Sequence, residues 1–324
     1  MAHGRQPMRR LSALALATAV LLPGTAAAAT RISVGTGTTG GVYYFVGTAL
    51  TKILNQFLPE VNATPEPVTG SAHATKLTHA GDLTLAMAEV ATVYHGYRGS
   101  RRDFDKKYEN VRFVMAGMDN GQGAIVWADS PVRSYADLKG KRVAANSPAS
   151  RAMLVAAMEV YGLKESDAQH KTLSYPEMVS AMKDGSVDVG FFSIGPRNAT
   201  VMELATSRPI RILAFDGPKE QDFNKAYPFW TAVPLKAGTY PGQDRDLPLP
   251  AFYTAVIASK DADAALVYAI VKTLIERGKE FGELHPAGKE FTVEKTRFAT
   301  ERNLVPVPWH PGAERYWREK GVIK

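Results

Sequence analysis

The sequence predicts an α/β protein built of two similar, mostly parallel-sheet lobes joined by a hinge of crossing strands. Three observations carry this. Strand-like and helix-like stretches alternate along the chain, the pattern of parallel sheets covered by helices. The pattern recurs: Leu-Thr-His-Ala-Gly-Asp-Leu-Thr-Leu-Ala over 77–86 and Met-Lys-Asp-Gly-Ser-Val-Asp-Val-Gly over 182–190 both read as helix end, glycine, two residues, strand. Two further strand-like stretches, Val111–Trp127 and Ala251–Ala258, lie outside the repeats, where they can run between lobes.

Arg31–Val34 reads as a short strand and Gly35–Gly41 as a Gly/Thr loop. Val42, Phe45, Val46, Leu50, Ile53, Leu54 and Phe57 then recur at helical spacing until Pro59. A strand over Val61–Val68, a helix over Ala72–Ala80 stopped by Gly81, and a buried strand over Leu83–Ala88 complete the first unit. The second unit repeats it. Lys141–Ala145 is a strand, Met153, Leu154, Ala157, Met158 and Tyr161 mark a helix ending at Gly162, and Ser174 with Glu177 opens another helix. That helix stops at Gly185 before a strand over Val187–Phe192. Between the units, Gly117–Gly123 is expected to interrupt the strand Val111–Trp127. One long helix is expected through Leu266, Ile270, Leu274 and Phe281. The expected division is a signal peptide over 1–29, a first lobe from 30–122 plus 238–324, and a second lobe over 123–237.

Residues 1–29 carry Arg5, Arg9 and Arg10, an apolar run from Leu11 to Leu22, and the small residues Ala26–Ala29. That is the layout of a secretory signal cleaved near Ala29, and the run falls short of the ~20 residues that span a bilayer. The whole chain of 324 residues has 39 Lys+Arg against 32 Asp+Glu; without 1–29 the balance falls from +7 to +4. With no dense basic stripe, no nucleic-acid partner is expected. No later apolar run reaches membrane-spanning length, so the expectation is an exported protein. The absence of cysteine excludes disulfides, cysteine metal sites and a lipid-anchored thiol.

Gly35-Thr-Gly37-Thr-Thr-Gly40 spells the G-x-G-x-x-G of a dinucleotide loop between a strand and a helix. The acid expected ~20 residues later at the end of the second strand is missing, since Glu60 precedes that strand beside Pro59. What remains is a loop that brings backbone N–H groups and a helix N-terminus to an anion, for which a carboxylate serves as well as a phosphate. Ser147-Pro-Ala-Ser150-Arg151 opens a helix in the other lobe, so two N-termini can face one ligand. Arg151 in a first turn opposes the helix dipole. Its charge is therefore assigned to a ligand carboxylate, with a solvated surface arginine as the alternative. Ser71 offers a hydroxyl before a third helix, and Asn198 can read a carboxylate or amide. Glu89 stands at the carboxyl end of a strand, where ligands gather in such sheets. It is expected to face a ligand ammonium or hydroxyl, or to pair with Arg151 across the cleft, with a surface glutamate as the alternative. His73 and His79 lack companions at metal-ligand spacing, and no nucleophile–base set is visible, so no metal, no cofactor and no enzyme activity are expected.

Several segments resemble the TAXI class of TRAP-transporter solute-binding proteins. They are Thr36–Tyr44, Thr69–Ser71, Ser134–Val143, Lys183–Asp188, Tyr227–Phe229, Ala237–Asp244, His310–Tyr316 and Glu319–Gly321. The resemblance implies a bilobed periplasmic-binding-protein fold (type II-like) that captures a small organic acid or acidic amino acid, glutamate-like, between the lobes. It implies a periplasmic location and delivery to TRAP membrane permease subunits without a chemical step. An exported protein feeding a membrane sensor, and an exported enzyme on the same scaffold, are the alternatives. The chain departs from the family at Gly70-Ser71-Ala-His73-Ala74, where Gly-Ser-x-x-Asn is usual, and at Pro148-Ala-Ser150-Arg151-Ala152, where Pro-Gly-Ser-Gly-Thr is usual. Glu89 stands where a glutamine is common. The expected ligand set is Gly37, Thr38, Thr39, Tyr43, Ser71, His73, Glu89, Ser147, Ser150, Arg151 and Asn198.

Overall fold

The computed structural model describes residues 1, 2, 4, 29–101, 103–194, 198–227 and 229–324. The expected signal peptide and the loop Gly195–Arg197 lie almost wholly outside the described residues.

The first unit runs β1 (Thr30–Gly37), α1 (Val42–Phe57), β2 (Val61–Pro67), α2 (Ser71–Ala80), β3 (Leu85–Glu89) and α3 (Val90–Arg98). After β4 (Val111–Trp127), the second runs β5 (Arg142–Ala145), α4 (Pro148–Glu159), β6 (Gln169–Thr172), α5 (Tyr175–Lys183), β7 (Val189–Ser193) and α6 (Ala199–Ser207). Then come β8 (Ile210–Leu213), α7 (Pro218–Ala226), β9 (Thr231–Leu235) and β10 (Leu247–Ser259). The chain closes with α8 (Ala264–Glu276), α9 (Gly278–Leu284), α10 (Val293–Glu301) and α11 (Pro311–Glu319).

The strand order β2-β1-β3-β10-β4-β7-β5-β6 shows the repeat directly. β1 pairs parallel with β2 and β3, and β5 parallel with β6 and β7. Each triplet is flanked by one antiparallel return strand, β10 beside β3 and β4 beside β7. These two strands cross between the lobes. β4 pairs with β10 up to Gly121, then with β7 from Gln122 and β8 from Ala124. β10 starts beside β9 and joins β4 at Ala251.

Three expectations change. The glycines of 117–123 do not break β4. They admit close neighbours: a Cβ on Gly117 would lie 2.6 Å from the Phe291 ring, and one on Gly123 only 2.1 Å from Ile194. The long C-terminal helix is two, α8 and α9, parted at Arg277. The chain also stays with the second lobe past 237, because Tyr240, Leu247 and Leu249 pack with Tyr175, Met178 and Phe192; it returns only within β10.

Each lobe buries apolar side chains on both faces of its sheet. In α1, Val42, Val46, Leu50, Ile53 and Leu54 form the inward stripe of an amphipathic helix. They pack with Val267, Ile270, Leu274 and Trp317 from the C-terminal helices. The Trp317 indole donates to the Val114 carbonyl (2.7 Å), fixing α11 to β4. The segment His310–Ala313 has a packing role. His310 Nδ1 accepts from Gly312 N (3.2 Å) at the start of α11, and a Cβ on Gly312 would lie 2.0 Å from the Ala264 carbonyl oxygen.

Candidate functional site

The carboxyl ends of β1, β3, β5 and β7 face one another across the hinge, and the first residues of α1, α2, α4 and α5 follow or flank them. That is the edge at which open α/β sheets hold ligands. There the lobes border a half-open cavity of about 60 Å³. The first lobe supplies Gly37, Thr38, Tyr43, Ser71, Met87 and Glu89, and the second supplies Asn146, Ser147, Ser150, Tyr175 and Ser193. Asn120, Gln122 and Phe252 come from the crossing strands.

Helix starts dominate the walls. α1 begins after Gly41 and α2 after Gly70, neither with a side-chain cap. The first N–H groups of a helix have no partner within it, so these donors stay open toward the cavity side. Gly70 has φ 138°, a backbone that side-chain-bearing residues avoid, and a Cβ there would lie 3.2 Å from Ser147 Cβ. Thr38 Oγ1 is buried with no hydrogen-bond partner. The Ser71 hydroxyl accepts from Glu89 N (2.9 Å), which leaves its own proton to give.

Among the described residues that line the cavity, Glu89 is the one acidic or basic side chain, and it is 2% exposed. Its Oε2 caps α3, accepting from Thr92 N (3.2 Å) and from the Thr92 hydroxyl, while Oε1 accepts from Trp230 Nε1 (2.5 Å). A carboxylate has about four lone-pair positions, so one remains for a donor in the cavity. A polar chain crosses the hinge. Ser193 Oγ (2.6 Å) and Gln122 Nε2 (3.1 Å) both donate to Asn120 Oδ1, and Ser150 Oγ donates to Gln122 Oε1 (3.3 Å). Burial pushes the Tyr175 phenol up to about 12, and it raises Tyr43 as well, so both present neutral hydroxyls at physiological pH.

Of the expected set, the structure brings together Gly37, Thr38, Tyr43, Ser71, Glu89, Ser147 and Ser150. Four others lie elsewhere. Thr39 is exposed. His73 Nδ1 sits 3.1 Å from Thr69 Oγ1, outside the lining. Asn198 is consumed as the cap of α6: its Oδ1 accepts from Thr200 N (2.8 Å) and Val201 N (3.3 Å), and its Nδ2 donates to the Ser193 carbonyl (2.8 Å). Arg151 pairs with Glu165 (2.8 Å) and lines a separate cavity with Pro148, Ala152 and Val155. The expected Arg151–Glu89 pairing across the cleft is therefore not formed. On α4 Arg151 is rotated about 100° from Ser150, and its side chain runs away from the cavity to Glu165.

Asn120, Gln122, Asn146, Tyr175, Ser193 and Phe252 were not expected in the site. Two of them carried a signal. Asn120 and Gln122 are polar residues two apart in an apolar strand, which places both on one face. Among the described residues, no group of three or more His, Asp or Glu side chains could hold a metal ion, and no helix is long and apolar enough to cross a membrane.

Residues 34–321 match the NMT1-like family. Among solved structures, the chain is similar to the alkanesulfonate-binding protein SsuA from Xanthomonas axonopodis pv. citri bound to MOPS, at 18% identity over 90% of this chain and 85% of that one, TM-score 0.53. The aliphatic sulphonate binding protein SsuA of Escherichia coli matches at 16% identity over 89% and 78%, TM-score 0.50. A protein assigned to L-cystine ABC transport in Listeria monocytogenes matches at 14% identity over 81% and 95%, TM-score 0.51. At these identities the likeness is one of fold, the bilobed fold of periplasmic binding proteins.

Proposed function

The chain belongs to the NMT1-like family, and from that premise we propose that it is a periplasmic solute-binding protein whose solute is a short organic acid. The acid carries a hydroxyl or ammonium group beside its carboxylate and is handed to the membrane permease of a TRAP-type transporter of the TAXI class. One observation carries the reading. Two helix N-termini that start at uncapped glycines and the partnerless Thr38 hydroxyl line one half-open cavity. Such donors suit an anion without a cationic side chain. The free acceptor position of Glu89 suits the neighbouring hydroxyl or ammonium.

Size narrows the class further. At roughly 10–15 Å³ per water-sized position, a cavity of about 60 Å³ holds the equivalent of about four to six waters. Glycolate, lactate or alanine match that space as it stands, while a longer acid such as glutamate would have to extend along the open side of the cleft. The TRAP assignment rests on the sequence resemblance. It does not rest on His310–Ala313, which serves helix packing here.

A thermal-shift panel of glycolate, lactate, alanine, pyruvate, glutamate, methanesulfonate and MOPS, followed by calorimetry, tests this. A ligand at 100 times its Kd adds about 2.7 kcal/mol, so the short 2-substituted acids are expected to raise the midpoint by several degrees. No shift with any acid, or MOPS bound as tightly as lactate, would overturn the reading. Delivery is tested by uptake of the bound acid in cells lacking this gene, which should fall.

A further inference from the structure

We propose that Trp230 sets the size limit of the ligand site: its indole, latched to Glu89, is the partition between the small cavity and a larger chamber beside it. The ligand-length part of this proposal rests on the acid-binding reading above; the latch itself does not.

The chamber has a volume of about 500 Å³ and takes its walls from both lobes, with Arg101 on one side and Val155 and Trp230 on the other. Two elements separate it from the cavity. One is the first turn of α4, where Ser147, Ala149 and Ser150 face the cavity, and Pro148, Arg151 and Ala152 face the chamber. The other is the Glu89–Trp230 hydrogen bond (2.5 Å), with Glu89 lining the cavity and Trp230 the chamber. The helix turn is fixed by its backbone bonds, and Glu89 is fixed by its bonds to Thr92. Trp230 is different. It lies in a turn after α7, is only half-buried, and borders a third cavity of about 150 Å³ with Ala91, His95 and Phe229. The ring therefore has space to leave the partition.

The same bond joins the lobes. Trp230 stacks over Phe223 of the second lobe at 6.5 Å between centroids while its N–H reaches Glu89 of the first. Its neighbour Phe229 meets Tyr94 of α3 at 4.7 Å. Phe229–Trp230 is thus a strap across the cleft, and Glu89, the residue it latches onto, is a wall of the ligand cavity. With the strap closed, an acid longer than the cavity meets the Glu89 side chain that the indole holds in place. With the indole gone, the two spaces join and a longer tail has somewhere to go.

The length arm uses calorimetry with glycolate, lactate, 2-hydroxybutyrate, 2-hydroxyhexanoate and 2-hydroxyoctanoate on wild type and Trp230→Ala. Wild type is expected to bind 2-hydroxyhexanoate at least about tenfold more weakly than lactate, about 1.4 kcal/mol, and Trp230→Ala to abolish that gap. If both proteins bind and share one length profile, the partition is wrong while acid binding stands. The latch arm needs no acid and uses Trp230→Phe, which keeps an aromatic ring but is smaller than the indole and lacks its N–H donor. Because the chain has no cysteine, nitroxide labels can be placed at Lys52→Cys and Lys139→Cys, exposed positions on different lobes. The interlobe distance distribution is expected to lengthen and broaden in Trp230→Phe; an unchanged distribution overturns the latch. If no acid binds wild type, the acid-binding reading fails together with the size limit, and this second arm alone decides whether the latch survives.

Discussion

The two lobes repeat one chain plan and finish it differently where they meet. In the first lobe, α1 and α2 start at Gly41 and Gly70 without side-chain caps. In the second, α4 starts at Ser147, whose Oγ accepts from Ser150 N (3.2 Å), and α5 starts at Ser174, whose N–H is held by Glu177 (2.7 Å). Both helices of the first lobe thus start without a side-chain cap, whereas in the second α4 has one first-turn donor held by Ser147 and the start of α5 is pinned through the Ser174 N–H. On the proposed function, the difference predicts a division of labour in which the first lobe grips the acid and the second mainly closes over it.

The comparison breaks first at Gly70. Gly70→Ala forces a side chain into φ 138°, a region costing about 1–3 kcal/mol, and pushes its Cβ toward Ser147. Lactate binding by calorimetry should be lost while far-UV circular dichroism is retained. Ser147→Ala, on the facing helix, should cost about 1 kcal/mol of stability as a lost cap and leave lactate binding largely intact. Equal losses of binding from the two variants would refute the division.

A hydroxyl pair sharpens it. Thr38→Val removes a buried donor with no other partner, and a hydrogen bond to a charged group is worth about 1.5–3 kcal/mol. Lactate affinity should therefore fall about tenfold or more. Ser150→Ala removes a hydroxyl already given to Gln122, and should cost less than about threefold.

The hinge offers a pH test. Glu290 accepts from Asp119 N (2.9 Å), one residue before Asn120 in β4. Burial, with the nearby Asp119 carboxylate, raises its pKa above the ordinary glutamate value. A raised folded-state pKa means that stability is fullest below the unfolded value of about 4.3 and falls as pH rises through the folded one. Glu290→Gln keeps an acceptor and removes that loss. The midpoint of the variant minus that of wild type should grow between pH 4 and pH 8; a flat difference would contradict the assignment. The smallest effect is expected at Arg151. Its pair with Glu165 is partly exposed, so Arg151→Ala should leave lactate affinity within about twofold.

Much of the fold was legible. Helical spacing marked α1 from Val42 to Phe57, and the paired glycine patterns at 77–86 and 182–190 marked the ends of α2 and α5 and the strands β3 and β7. The site was legible where a loop between a strand and a helix announced it, at Gly37, Thr38, Ser71 and Ser147. It was not legible at Tyr175, Ser193 or Phe252, which have ordinary core-type settings in sequence. Nor did sequence separate Ser150 from its neighbour Arg151, since adjacency along a helix says nothing about which face a residue shares with the other lobe.

Composition, periodicity and turn chemistry are local properties, and they alone determine that this chain makes two α/β units whose loops suit an anion. Which side chains surround that anion is a matter of register between segments far apart in sequence. β4 places Asn120 and Gln122 on either side of the crossing, α4 turns Arg151 toward Glu165, and Trp230 reaches Glu89 across 141 residues of chain. Those meetings depend on how one lobe docks against the other. Only the packed structure decides that, because the energy of a contact exists only once both partners have been brought into reach.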